Sequence, residues 1–297
     1  MSDAAPTVVR PARKRKRDES FMGRATRRFR KHRLAQGGLV MLVILSLLAI
    51  LAPFLTPYGF DAQDVELLGM PTPPSLEHLM GTDPLGRDLF TRILYGARIS
   101  LAVGIASAII ATFLGTLVGS LSGFYGGRVD QLLMRLTDIM LSIPLLPLVI
   151  ALSGFLRPSV PMLVLIIGGL GWMGSARLVR SQFLALRSLD YVEASRALGG
   201  SNNRIMFRHI LPNALGPVVV STTLAVGSAI LIESALSFLG LGVQPPTPTW
   251  GNLLNGASDW LDLAPWLAAF PGLFILLTVL SVNFLGDGLR DALDPRS

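Results

Sequence analysis

The sequence predicts an all-α polytopic membrane protein with six transmembrane helices, and three observations carry that prediction. Hydrophobic residues make up 51% of the 297 positions and charged residues only 15%, a balance outside the range of soluble globular domains. The apolar residues gather in runs long enough to cross a bilayer, separated by short polar segments. Arginines crowd every second inter-run segment and are sparse in the others, which sets an orientation with both chain ends on the cytoplasmic side.

In chain order, residues 1–33 form a basic, flexible tail holding twelve of the 26 Lys and Arg residues, among them Arg10, Lys14, Arg17, Arg27, Arg30 and Lys31. Such a run admits contact with nucleic acid or anionic lipid, but beside a span it acts first as a cytoplasmic anchor facing membrane lipid, with no nucleic-acid role required. Residues 34–55 are the first span; the long leader and missing small-residue cleavage site argue against a removed signal peptide. Residues 56–98 form an acidic, Pro-rich extracytoplasmic loop. Within it Thr82-Asp83-Pro84 has the form of a capped helix start with Pro at N1, predicting a surface helix to Ala97. Asp83, Arg87 and Asp88 read there as structural rather than as solute contacts.

Residues 99–286 are the five-helix core. The second span, 99–123, carries small residues at every fourth position, Ser107, Ala111, Gly115, Gly119 and Gly123, a ladder for close helix packing in lipid. Arg128, Asp130, Arg135 and Asp138 mark an inner turn, and 139–155 crosses outward with Pro144 and Pro147 as candidate kinks beside a pathway. Residues 161–176 return inward. Residues 213–236 hold Glu233 near the outer end, hydrogen-bonded or paired in the bundle, either as a gate or solute contact or as a carboxylate reaching the headgroups. Residues 238–262 lack Lys and Arg and form an outer loop, 264–284 is the sixth span, and 287–297 is a short cytoplasmic tail.

Between the fourth and fifth spans lies the polar stretch 190–212. Asp190 and Glu193 have the spacing of a capping box, Gly199-Gly200 supplies a left-handed stop after two turns, and Ser201 offers a second N-cap for a short helix ending near Leu211, before Pro212. Tyr191, Ala194, Ser195 and Leu198 share one face whose centre is small, as a helix that enters another protein's groove requires. A loop lying on the bilayer surface is the alternative.

Chemistry is excluded by several absences. The chain has no Cys, its three His are scattered at His32, His78 and His209, and all three Lys lie at or before Lys31. A thiolate or H-E-x-x-H metal site and a phosphate-loop Lys are therefore missing, so the chain reads as a non-enzyme with no metal and no cofactor of its own. A secondary transporter or channel marks its path with intramembrane charges, and here Glu233 stands almost alone. A membrane hydrolase needs a Ser/His/Asp group that no span supplies.

The stretch 190–212 resembles the EAA loop of ABC-importer permeases. Glu193, Ala194, Gly199, Leu211 and Pro212 match that pattern in register, with Ser195 for the second alanine and His209 for the isoleucine. Residues 81–88, GTDPLGRD, resemble the signature of one permease in each dipeptide/oligopeptide importer. The resemblance implies a MetI-like fold in the bacterial inner membrane and a coupling role for Tyr191, Glu193, Ala194, Ser195, Leu198, Gly199 and Gly200. It also implies a homologous second permease, two ATPase subunits that bind ATP and Mg, and an extracytoplasmic solute-binding protein. The cargo it implies is a di- or oligopeptide, with nickel or another small solute as the alternative.

Overall fold

The computed structural model describes residues 21–156 and 159–293, so the Arg10 to Arg17 part of the basic tail lies outside the described residues. Among the described residues the regular structure is helical, apart from two isolated bridges, Leu68 with Leu85 and Thr82 with Asp88. Four helices are long and apolar enough to span a membrane, and two bent pairs bring the number to six.

Part of the expected flexible tail is ordered. α1 (Phe21–Phe29) packs on the end of α12 (Trp266–Leu293), since arginines are good helix formers and the turn through His32, whose N–H donates to Phe29 O at 3.0 Å, folds it back. α2 (Arg33–Leu55) is the expected first span. Its buried residues Ala35, Gly38, Leu45, Ala49 and Ala52 form one stripe against α12, and its other faces are apolar and open.

α3 (Leu89–Tyr125) corrects the expected division into a surface helix and a separate span. Thr82-Asp83-Pro84 does not open a helix. Asp83 Oδ1 instead accepts from the N–H groups of Leu85 (2.9 Å) and Arg87 (3.1 Å), and Gly86, at φ +68°, closes a turn. The cap is Asp88, whose Oδ2 accepts from Thr91 N (2.7 Å) and Thr91 Oγ1 (2.6 Å). Nothing from Ala97 to Ile99 breaks a helix, so 37 residues run on unbroken.

The small-residue ladder does what its spacing suggested. A side chain at Gly115 would meet Trp172 O at 2.7 Å, and one at Gly123 would meet Phe183 Cβ at 2.6 Å, so α7 (Met173–Leu186) lies directly on the α3 backbone. α6 (Val160–Leu170) and α7 form one span bent by 43°.

The expected inner turn after α3 is a helix, α4 (Gly127–Ser142), and the span 139–155, expected to kink at its prolines, is broken outright: α4 meets α5 (Leu145–Phe155) at 82°. Pro144 causes the break as the N-cap of α5. Pro147 sits in the first turn of α5, where the N–H it lacks has no intrahelical partner, so it is not a kink.

α8 (Asp190–Ala197) is followed by α9 (Asn202–Arg204), a π-turn at Ile205–Ile210 and α10 (Leu211–Phe238). These last three form one helix of 37 residues, which corrects the expected stop before Pro212. The π-turn widens the ladder where Pro212 cannot donate, Leu211 N–H reaching back to Met206 O, and Asn213 Nδ2 takes His209 O at 2.7 Å. The expected outer loop 238–262 contains α11 (Trp250–Ala257), folded back into the bundle, and the expected tail is helical to Leu293.

Candidate functional site

The stretch 190–212 is built on a buried anchor. Val192 of α8 is 0% exposed and packs with Phe124, Val179, Phe183, Ile205, Met206 and Ile210. The expected capping box is absent: Leu189 is the N-cap and makes no side-chain bond, so Asp190 and Glu193 lie in the first turn as exposed acids favoured by the helix dipole. The other end follows the glycine expectation closely. Gly199, at φ +77°, donates to Arg196 O (3.0 Å) and Gly200 donates to Ser195 O (2.9 Å), a Schellman stop, and Ser201 Oγ then accepts from Arg204 N at 3.4 Å. With Val192 turned inward, Tyr191 and Ala194 are exposed, Ser195 is half-buried and Leu198 is 89% exposed. Tyr191 Oη accepts from Asn213 Nδ2 at 3.4 Å. Leu211 is half-buried and Pro212 exposed, both inside the continuous helix.

Helix directions put α8, the start of α2 and the ends of α3 and α12 at one end of the bundle. The residues 81–88 lie at the other. There Arg87 Nε donates to Asp83 Oδ2 at 2.7 Å, buried Arg92 stands 3.6 Å from the same carboxylate, and His78 Nδ1 lies 2.9 Å from Asp88 Oδ1. All three signature residues are engaged in holding this turn and starting α3.

Glu233 is nearer the signature turn than α8 and is 0% exposed, so the reading of a helix-end carboxylate reaching the headgroups does not hold. α11 covers it, because Gly251 lets the helix sit on the backbone of Ser234. Ser237 Oγ donates to Glu233 Oε1 at 2.7 Å and Ser100 Oγ donates to Oε2 at 3.1 Å, while Ser100 Oγ also accepts from Trp250 N at 3.2 Å. One carboxylate thus ties α3, α10 and α11. Leu236 of α10 shares a core cluster with Val149 of α5, which brings the Glu233 region to the span that begins at Pro144. Among the described residues no group of three or more His, Asp or Glu side chains is placed to hold a metal ion.

With this geometry in hand, comparison with known proteins is decisive. Residues 115–297 match the model of the binding-protein-dependent transport system inner membrane component family, and residues 20–74 match the N-terminal transmembrane domain of oligopeptide transport permease C. The chain belongs to the binding-protein-dependent transport permeases. It is 46% identical over 274 residues to the oligopeptide transport system permease protein OppC of Escherichia coli K12, covering 92% of this chain and 90% of that one. It is 43% identical over 281 residues to the OppC protein of Bacillus subtilis, covering 95% and 92%. Identity to the B. subtilis dipeptide transport system permease protein DppC is 42%, covering 93% of this chain and 86% of that one. A chain of the inward-facing MetNI methionine ABC transporter superposes with TM-score 0.52 at 20% identity, covering 68% of this chain and 96% of that one, which supports the shared fold.

This multi-pass membrane protein is thus an ABC-importer permease subunit, and the secondary-transporter, channel and hydrolase readings fall. Several residues that build the permease's site escaped the sequence reading. Val192 looked like one more apolar residue in a polar stretch. Thr249 and Asn252 carried a legible signal, since the T-x-x-N spacing is a capping box and both reciprocal bonds form, at 3.2 and 2.9 Å. Asp130, Arg180 and Arg187 carry no motif that marks them in the sequence. Arg180 grips Asp130 with Nε at 2.5 Å and Nη2 at 2.7 Å, Ser122 Oγ donates to the same carboxylate, and Arg187 Nη1 donates to Gly123 O at 3.1 Å.

Proposed function

We propose that this permease carries di- or oligopeptides inward across the bacterial cytoplasmic membrane, working with a homologous second permease, two ATPase subunits and an extracytoplasmic binding protein. α8 docks into an ATPase groove on the cytoplasmic side. The observation that carries this reading is the exposed Tyr191, Ala194 and Leu198 face on a helix fixed by buried Val192 and stopped by Gly199. A rigid, small-centred ridge is what a helix-in-groove contact uses. ATP and Mg belong to the partner subunits, and this chain supplies no nucleotide site. The peptide cargo is supported by relatives named for oligopeptide and dipeptide transport along nearly the whole chain.

Reconstitution of the full complex in vesicles tests both parts. Peptide uptake that depends on ATP and on the binding protein is expected, and uptake of nickel with no peptide uptake overturns the cargo. Because the chain has no native Cys, Ser201→Cys reports the orientation directly. Labelling from the cytoplasmic side alone is expected, and labelling from outside intact cells overturns it.

A further inference from the structure

α4 is held to the molecule in an unusual way. Of its sixteen residues only Thr137 is buried, and the Thr137 hydroxyl is used on its own helix, donating to Leu133 O at 2.8 Å. Leu132, Leu136 and Ile139 are exposed. Met140 packs on Trp172, Met173 and Ala176, and apart from that contact the polar ties of α4 stand out. Arg180 of α7 holds Asp130 through two parallel bonds of 2.5 and 2.7 Å, with Ser122 of α3 on the same carboxylate, and Arg177 of α7 donates to Asp138 at 2.6 Å. A bidentate Arg–carboxylate pair fixes angle as well as distance.

The two ends of this tie are mechanically different. α7 is locked to α3 by the glycine ladder, and its Val179 and Phe183 share with Val192 of α8 the buried cluster completed by Ile205, Met206 and Ile210. α4 leads through the 82° break at Pro144 into α5, which packs in the apolar cluster with α6 and α10. We propose that Asp130 and Arg180, assisted by Asp138 and Arg177, are positioning residues that make α4 follow α7, so that displacement of the coupling helix reaches the broken span. The proposal rests on the docking role given to α8.

The test uses the cysteine-free chain in the reconstituted complex, with spin labels at Arg135→Cys on α4 and Ser181→Cys on α7, both exposed. The expected result is the same α4–α7 distance in the resting and the ATP/vanadate-trapped complex. Asp130→Asn broadens that distance and lowers solute transported per ATP hydrolysed by about fivefold, with ATPase association retained. The exchange Asp130→Arg with Arg180→Asp restores both the distance and the ratio. If Asp130→Asn fails to assemble, Arg177→Gln, at the exposed pair, serves instead and lowers the ratio about twofold. An unchanged ratio in the assembled variant, an exchange that does not restore it, or a wild-type α4–α7 distance that shifts on trapping overturns the proposal while leaving α8 docking intact. Wild-type chain that neither binds the ATPases nor supports stimulated hydrolysis removes the docking role, and this proposal with it.

Discussion

α3 and α4 are neighbours in sequence, separated by Gly126, and they are secured by opposite means. More than half of α3 is buried, with Gly115, Gly119 and Gly123 admitting the backbone of α7, whereas α4 buries Thr137 alone and holds on through Asp130 and Asp138. Packing contacts are short-ranged and directionless, so a close-packed helix has one position. A bidentate Arg–carboxylate pair such as Arg180 with Asp130 fixes angle and distance through a few atoms, without burying a helix face. The difference separates a spine packed along its length from a helix that follows α7 through a few polar ties.

Substitutions that break the spine have the largest expected effect. Gly119→Leu sets a side chain against Ala176 O and against Val179 Cβ at 2.8 Å, and overpacking costs about 3 kcal/mol or more where backbone must shift. Loss of monodisperse protein in size-exclusion chromatography is expected, whereas Leu132→Ala on the open face of α4 stays within about 0.5 kcal/mol of wild type. Equal effects of the two would erase the contrast.

Gly199→Val comes next, since a branched residue at φ +77° carries a strain of about 1–3 kcal/mol. Redirection of the chain entering α9 is expected, read as lost ATPase association with near-normal expression. Glu233→Gln leaves the Ser100 and Ser237 hydroxyls one carbonyl oxygen in place of a carboxylate, a loss of about 1–2 kcal/mol that thermal unfolding measures. Wild-type uptake by a stably folded Glu233→Gln protein removes that residue from the pathway. Asn203→Ala, exposed at the start of the long helix, is expected to change stability by less than about 0.5 kcal/mol and leave uptake unchanged.

What was legible in the sequence was local. The apolar run at 34–55 marked α2 to within one residue, the Gly199-Gly200 pair marked the stop of α8, and the four-residue spacing of small residues marked the face of α3 that meets α7. The misreadings came where a distant or neighbouring group overrode a local preference. Pro212 reads as a terminator until the π-turn is known to absorb its missing donor. Thr82-Asp83-Pro84 reads as a capped helix start until Asp83 is seen to spend its oxygens on Leu85 and Arg87. The segment around Trp250 reads as an outer loop because it lacks Lys and Arg and is Pro-rich, yet Trp250 Nε1 donates to Ile93 O at 3.1 Å from inside the bundle. Glu233 was visible as an isolated intramembrane acid, but its partner Ser100, and Trp250 bonded in turn to Ser100, are remote in sequence and carry no motif that links them to it.

The central claim is that the exposed face of α8 couples this permease to an ATPase, and bulk at its small centre tests it most directly. Ala194 is exposed and takes no part in the cluster around Val192, so Ala194→Trp leaves the helix bundle folded. The measurement is ATPase co-purification together with binding-protein-stimulated hydrolysis in the reconstituted complex. Loss of both by at least about tenfold, with normal expression and thermal stability of the permease, is the result the account predicts. Full association and full stimulated turnover in Ala194→Trp would contradict it.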